Sequence, residues 1–180
     1  GNYNDPDSAI DDSNNSLGLD YIDLMLIHQP GYNDEEVYKA LERGVKAGKI
    51  KSIGISNYYT PEDFERIAKI ASITPAVVQN ENHPYYQNEN LKNYLDSKNV
   101  FIESWYPLGG RGHTQELFND SEILKIAAAH GKTSAQIILR WHVQSGYITV
   151  PGSSNPEHIA ENINIFDFSL TDEEMKIFES

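Results

Sequence analysis

A histidine follows a run of apolar and β-branched residues in Tyr21-Ile-Asp-Leu-Met-Leu-Ile-His28, and four further apolar runs end in polar or aromatic side chains. These ends are Ser56-Asn57, Gln79-Asn80-Glu81, Trp105-Tyr106 and Gly152-Ser153-Ser154-Asn155. A histidine, hydroxyls and side-chain amides at strand ends offer hydrogen-bond donors and acceptors to a ligand. An indole offers a face for stacking, and a Ser-Ser-Asn turn at a helix start offers hydroxyl and N–H donors to an anion. Each feature alone has a plainer reading. A histidine after a strand packs and hydrogen-bonds, Ser-Asn pairs cap helices and make turns, and Trp-Tyr pairs fill cores. Chemistry is favoured because all five groups stand at the same end of their strands.

The elements that must position them alternate between two periods. Short apolar runs at 21–28, 50–56, 76–80, 100–105 and 147–150 read as strands, and the stretches between them carry apolar residues three and four apart. Asn33 is placed to cap the first intervening helix with Glu36 three residues on; Val37, Leu41 and Val45 form its buried stripe and Gly48 stops it. Thr60-Pro61 opens the second, with Phe64, Ile67, Ala68 and Ala71 inward, and Leu91, Tyr94 and Leu95 mark the third. Two helices are expected before the last strand, one over 120–130 ending at Gly131, the other capped by Thr133 with Gln136 and carrying Ile137, Ile138 and Trp141. Asn155-Pro156 opens a short helix and Thr171 with Glu174 a terminal one. Ahead of the first strand, residues 7–17 form a helix in which Ile10 and Leu17 face one way and Asn14 interrupts them.

Strands alternating with helices give an α/β fold with a parallel sheet, either an open doubly wound sheet or a closed barrel. The doubly wound form wants a glycine-rich turn after its first strand, but Gln-Pro-Gly-Tyr follows His28, and Gly109-Gly-Arg-Gly112 lacks the dinucleotide spacing. A closed barrel wants eight βα units in roughly 250 residues. Five are legible in 180 residues, with only 27 ahead of His28, so the barrel reading expects three strands to be missing.

Composition narrows the partners. One soluble domain over residues 1–180 is expected, because no compositional break divides the chain. Twenty-seven acidic against 14 basic side chains give a net charge of −13, which disfavours nucleic acid and anionic membranes as partners. Arg43, Lys46, Lys49 and Lys51 cluster at a helix C-terminus, where they complement its dipole. With no cysteine, disulfide and thiolate chemistry are out. No apolar run approaches the roughly 20 residues that span a bilayer and no leader opens the chain, so the expected compartment is the cytoplasm.

Together these motifs resemble an aldo-keto reductase, close to the bacterial type related to diketogluconate reductases. The resemblance rests on Leu17-Gly-Leu-Asp-Tyr-Ile-Asp-Leu-Met-Leu-Ile-His-Gln-Pro30, Gly48-Lys-Ile-Lys-Ser-Ile-Gly-Ile-Ser-Asn57, Pro75-Ala-Val-Val-Gln79, Asn82-His-Pro-Tyr85, Trp105-Tyr-Pro-Leu-Gly109 and Val150-Pro-Gly-Ser-Ser154 with Glu161-Asn162. They occur in family order over nearly the whole chain. The resemblance implies a TIM-type (β/α)8 barrel, of which strands 4–8, their helices and a C-terminal helix are present, and reduction of an aldehyde or ketone to an alcohol by NADPH or NADH. It implies that His28 hydrogen-bonds the carbonyl oxygen of a small-molecule substrate. Ser56, Asn57 and Gln79 would hold the nicotinamide carboxamide, and Trp105 would stack on its ring. Tyr106 and Leu108 would begin the loop over the pyrophosphate, with Ser153, Ser154, His158, Glu161 and Asn162 around the adenosine end. No metal is implied.

Two departures from the family pattern follow. Where NADPH-preferring members place a lysine and an arginine for the 2′-phosphate, this chain has Gly152 and His158, so NADPH preference is put in question. The family's proton-donating tyrosine, its lysine and the aspartate holding that lysine belong to segments before the His28 strand, and Tyr3, Asp5, Tyr58 and Lys51 are not at matching positions. The 180-residue chain is therefore expected to be inactive alone, its remaining strands supplied by a missing N-terminal segment or a second copy. Two other readings stand beside this one: a non-catalytic nicotinamide-binding or regulatory module derived from the same barrel, and an unrelated α/β binding domain.

Overall fold

A computed structural model describes residues 4–179, so Tyr3 lies outside the described residues. The chain forms two compact units. The first runs to Asn80 and takes in Glu89–Phe101; the second comprises Glu81–Asn88 and the chain from Ile102 onward.

In the first unit, α1 (Pro6–Leu17) leads into β1 (Ile22–Ile27), α2 (Asp34–Lys46), β2 (Ile50–Ser56), α3 (Pro61–Ala68), most of β3 (Val77–Glu81) and α4 (Glu89–Asp96). β1 and β2 are parallel from Ile22 opposite Ile50 to Ile27 opposite Ile55, and β2 pairs β3 in parallel with Ser56 opposite Gln79. Parallel neighbours need long crossovers, which α2 and α3 supply. Ile27, Ile53, Ile55 and Val78 from the strands meet Tyr38 and Leu41 of α2, Phe64 and Ile67 of α3, and Leu91 and Leu95 of α4 in a buried core. Gly54 permits the close approach of β3: a Cβ there would lie 2.6 Å from the Val77 carbonyl oxygen and 2.7 Å from Leu26. The buried Glu42 carboxylate accepts from the backbone N–H groups of Ser72 and Ile73, fixing the turn into β3.

The second unit contains most of β4 (Phe101–Trp105), α5 (Gly110–Phe118), α6 (Ser121–His130), α7 (Ser134–Gln144), β5 (Ile148–Thr149), α8 (Pro156–Ile163) and α9 (Asp172–Ile177). β4 and β5 are parallel, with Ser104 opposite Thr149. Ile102, Leu117, Ile126, Ile137, Ile138 and Trp141 form its core, and Trp141 stacks on Phe178 at 5.4 Å. Both expected capping boxes, Thr133 with Gln136 and Thr171 with Glu174, are formed, and Asp120 and Asn155 cap α6 and α8.

Four expectations change. Asn33 occupies the N-cap of α2 but makes no side-chain cap, because its backbone (φ −122°, ψ 17°) is not extended. On α1 it is Asn14, not Leu17, that joins Ile10 on the buried face: Leu17 is 61% exposed, and Asn14 Nδ2 donates to the Lys49 carbonyl at 3.4 Å. A helix not expected, α5, forms over the glycine-rich stretch after Trp105. The last strand shrinks from 147–150 to Ile148–Thr149.

Candidate functional site

The ladder of the first unit sets the level of its strand ends. Continuing the β1–β2 register by one residue brings His28 level with Ser56, which is itself level with Gln79. His28 is exposed, and its carbonyl accepts from Asn57 Nδ2 at 2.8 Å. Asn57 has φ +64°, a left-handed conformation that asparagine tolerates better than most residues. Tyr59 donates to its Oδ1 at 3.2 Å. The buried Ser56 donates its hydroxyl to the Gln79 carbonyl at 2.8 Å, and the Asn57 N–H reaches the same oxygen at 3.0 Å. Thus His28, Ser56, Asn57 and Gln79 are joined by three hydrogen bonds at one end of a three-stranded ladder.

Beneath this rim lies a cluster that residue spacing does not reveal. The Asp34 carboxylate accepts a two-pronged contact from Arg66 at 2.7 and 2.6 Å, the Tyr58 hydroxyl at 2.7 Å and the Gly31 N–H at 3.3 Å. Burial works to raise the Asp34 pKa, but its bonds to Arg66, Tyr58 and Gly31 prevail and hold it below the ordinary carboxylate value. Burial, and then the Asp34 carboxylate, push the Tyr58 phenol well up. Asn80 Nδ2 donates to the Tyr58 carbonyl at 2.7 Å. One carboxylate therefore ties the loop after His28 to the loop after Asn57.

A tyrosine, a lysine and an aspartate do meet in this unit. Lys51 Nζ lies 3.8 Å from the centre of the Tyr21 ring and 3.5 Å from Asp23 Oδ1. The cluster sits at the beginning of β1 and β2. Asp23 and His28 are five residue steps apart along the strand, about 17 Å at ~3.3 Å per residue.

In the second unit, Trp105 is half-buried and meets the exposed Tyr106 edge to face at 4.7 Å. Tyr106 has φ +51°, and its ring covers Gly110, where a Cβ would lie 2.3 Å from the ring. Leu108 is half-buried. Ser153 Oγ accepts from the Asn155 N–H at 3.1 Å, and Asn155 Oδ1 from the Glu157 N–H at 2.9 Å, completing the start of α8. Ser154 and His158 are exposed beside it, and a Cβ at Gly152 would meet open space. The Glu161 carboxylate accepts from the Thr133 hydroxyl, and its carbonyl from Gln136 Nε2 at 3.1 Å. Asn162 lines a cleft with Val143, Pro151, Ile159 and Phe166.

A polar line in this unit also escaped the sequence reading. Asn82, Ser104 and His142 are buried and hydrogen-bonded in series, although they are far apart in the chain. The available signal was polarity inside apolar runs: Ser104 interrupts Phe101-Ile-Glu-Ser-Trp105, and His142 follows Ile137-Ile-Leu-Arg-Trp141. Among the described residues, no cluster of three or more His, Asp or Glu side chains could hold a metal ion, and no helix is long and apolar enough to cross a membrane.

The family model described as "Aldo/keto reductase family" matches residues 1–180. Similar proteins include glyoxal reductase of Bacillus subtilis, 41% identical over 93% of this chain and 59% of the relative. Another is 9,11-endoperoxide prostaglandin H2 reductase of Trypanosoma cruzi, 39% identical over 94% of this chain and 59% of the relative. Among solved structures, a Gox0644 mutant in complex with NADPH is 38% identical, with a TM-score of 0.88 over 97% of this chain and 64% of that one. The chain thus spans about three fifths of the length of the relatives it matches.

Proposed function

Because the chain belongs to the aldo/keto reductase family along all of residues 1–180, we propose that it forms the cofactor-binding part of an NAD(P)H-dependent reductase of small aldehydes and ketones. Its five parallel strands correspond in this reading to strands 4–8 of a (β/α)8 barrel. The observation that carries the proposal is the level rim of His28, Ser56, Asn57 and Gln79, hydrogen-bonded as a unit in a chain whose family uses the carboxyl ends of barrel strands.

Each unit's residues fit parts of a nicotinamide dinucleotide. In the first, the neutral amides suit a carboxamide; in the second, a half-buried indole suits a stacked ring and a capped helix start flanked by exposed Ser154 an anionic linker. When bound, the reduced nicotinamide supplies hydride to a carbonyl carbon. Ser56, Asn57 and Gln79 hold the carboxamide and so fix which ring face is presented. Trp105 stacks on the ring, and Tyr106 and Leu108 begin the cover over the pyrophosphate. Ser153, Ser154, His158, Glu161 and Asn162 surround the adenosine end. His28 donates to the carbonyl oxygen, orients it and stabilises the charge that grows there.

The alkoxide then needs a proton. Tyr58 is a poor source because burial and Asp34 hold its proton tightly. The Tyr21–Lys51–Asp23 cluster is at the wrong ends of its strands. The 180 residues alone are therefore proposed to bind cofactor without reducing carbonyls. Titration of the purified chain with NADPH and NADH, followed by nicotinamide emission, tests binding; absence of any change at millimolar cofactor would sink the proposal. Steady NAD(P)H oxidation with methylglyoxal by the same chain would overturn the part concerning turnover.

A further inference from the structure

The segment that carries Trp105, Tyr106 and Leu108 is held by its carbonyl oxygens. The Trp105 carbonyl accepts from the Asn82 N–H at 3.3 Å and the Tyr106 carbonyl from the Gly109 N–H at 2.8 Å. The third, that of Pro107, accepts from His142 Nε2 at 3.0 Å. Between them Tyr106 sits at φ +51°, a conformation that costs a bulky residue of order 1–3 kcal/mol and persists only where its surroundings hold it.

Every proton in this support has an assigned direction. A carbonyl can only accept, so His142 carries its proton on Nε2 and presents Nδ1 as an acceptor. Ser104 Oγ lies 3.2 Å from that Nδ1 and donates to it. Asn82 Nδ2 donates to the same Ser104 oxygen at 2.9 Å. Asn82 Oδ1 in turn faces the Asn88 backbone N–H at 3.3 Å and Asn88 Nδ2 at 3.1 Å; because the backbone N–H can only donate, it fixes which way the Asn82 amide points. The result is a directional series, Asn88 to Asn82 to Ser104 to His142 to the Pro107 carbonyl. His142 is fully buried against the rings of Trp141 (4.7 Å) and Tyr147 (5.8 Å). Burial, the dominant cause, pulls its pKa down to about 4, so the imidazole is neutral throughout the physiological range.

We infer that His142 is a positioning residue, which through the Pro107 carbonyl sets the strained Trp105–Tyr106–Pro107 segment in the shape that receives the cofactor. The inference rests on the reading of Trp105, Tyr106 and Leu108 as cofactor residues, and it adds an oriented support that spacing along the chain does not show. Losing His142 leaves a carbonyl and a hydroxyl buried without this partner, whereas glutamine can still offer an N–H to Pro107 and an oxygen to Ser104.

The test compares wild type, His142→Phe, His142→Gln and Ser104→Ala. Two readouts are NADPH affinity from nicotinamide emission and the backbone amide shifts of Tyr106, Leu108 and Gly109 without cofactor. His142→Phe is expected to weaken NADPH binding about tenfold or more and to move those three amides, and His142→Gln to restore both readouts. Ser104→Ala is expected to keep the Nε2–H tautomer that the Pro107 carbonyl fixes but to remove the donor to Nδ1, which moves the Nδ1 ¹⁵N shift of His142, with a smaller loss of affinity. A folded His142→Phe protein with unchanged affinity and amide shifts overturns the inference. Should that variant fail to fold, an unaltered His142 Nδ1 shift together with unchanged affinity in Ser104→Ala does so. Wild type that binds neither NADPH nor NADH overturns the proposed function instead, and the amide shifts still decide whether His142 sets the segment.

Discussion

At the scale of single residues, the rim of the first unit depends on a side chain that does not itself reach the rim. Asp34 gathers Arg66, Tyr58 and the Gly31 N–H, and so fixes the two loops that leave His28 and Asn57. Its pKa is depressed in the folded state, so its stabilisation is present above the unfolded value near 3.8 and is lost as the pH falls through the folded one. Asp34→Asn should cost about 2 kcal/mol at pH 7 and flatten the loss of stability below about pH 4, as measured by urea denaturation across pH. The opposite lesson comes from Gly152, where a side chain would meet only open space. Gly152→Lys combined with His158→Arg should shift the NADPH-to-NADH affinity ratio at least about tenfold toward NADPH, because charge-assisted contacts to a phosphate are each worth roughly 1.5–3 kcal/mol. Paired titrations with the two cofactors would show it, and an unchanged ratio would place the 2′-position elsewhere. His28, Ser56, Asn57, Gln79 and Trp105 were legible as candidates because they end apolar runs. Asp34 was not, because burial rather than spacing distinguishes it, and Ser104 and His142 showed only as polar residues within or after apolar runs, whose partnership their separation in the chain concealed.

At the scale of elements, the strands and most helices announce themselves. Thr133 with Gln136 and Thr171 with Glu174 form the capping boxes their spacing suggests. α5 was illegible for a physical reason: Gly110, Arg111, Gly112 and His113 supply no apolar stripe, and Leu117 is the buried residue it contributes to the core. Asn33 misled for the converse reason, since a capping side chain needs an extended backbone beneath it. Contact between β2 and β3 turns on Gly54. Gly54→Ala should destabilise the protein by about 1–3 kcal/mol, because the nearest obstacle is the Val77 carbonyl, a backbone atom that cannot rotate aside. Chemical denaturation would measure this, and a loss below about 0.5 kcal/mol would mean that the strands can part without penalty.

At the scale of the whole molecule, a net charge of −13 surrounds a proposed site for an anionic dinucleotide. The general field opposes approach, while the capped start of α8 and its exposed Ser154 act only at short range. Raising ionic strength from about 20 to 150 mM shortens the reach of that field to ~8 Å. The association rate of NADPH should therefore rise with salt, measurable by stopped flow; a rate that falls would reveal a local positive potential strong enough to outweigh the net charge. The fold class was readable at this scale from the alternation of periods, since buried parallel strands and amphipathic helices carry different repeats. Open and closed sheets share that alternation, so the barrel reading came from the resemblance and not from the pattern.

The β1–β2–β3 register also constrains how such a chain can change its length over evolutionary time. Deleting one residue between Ile22 and Ile27 would turn His28 to the opposite face and break its level with Ser56. The turns at 29–33 and 69–75 contain no strand residues and can gain or lose length without that reversal. Insertions and deletions among descendants of this sequence should accordingly collect in those turns, leaving the strands as fixed rulers that record where the chemistry once had to be.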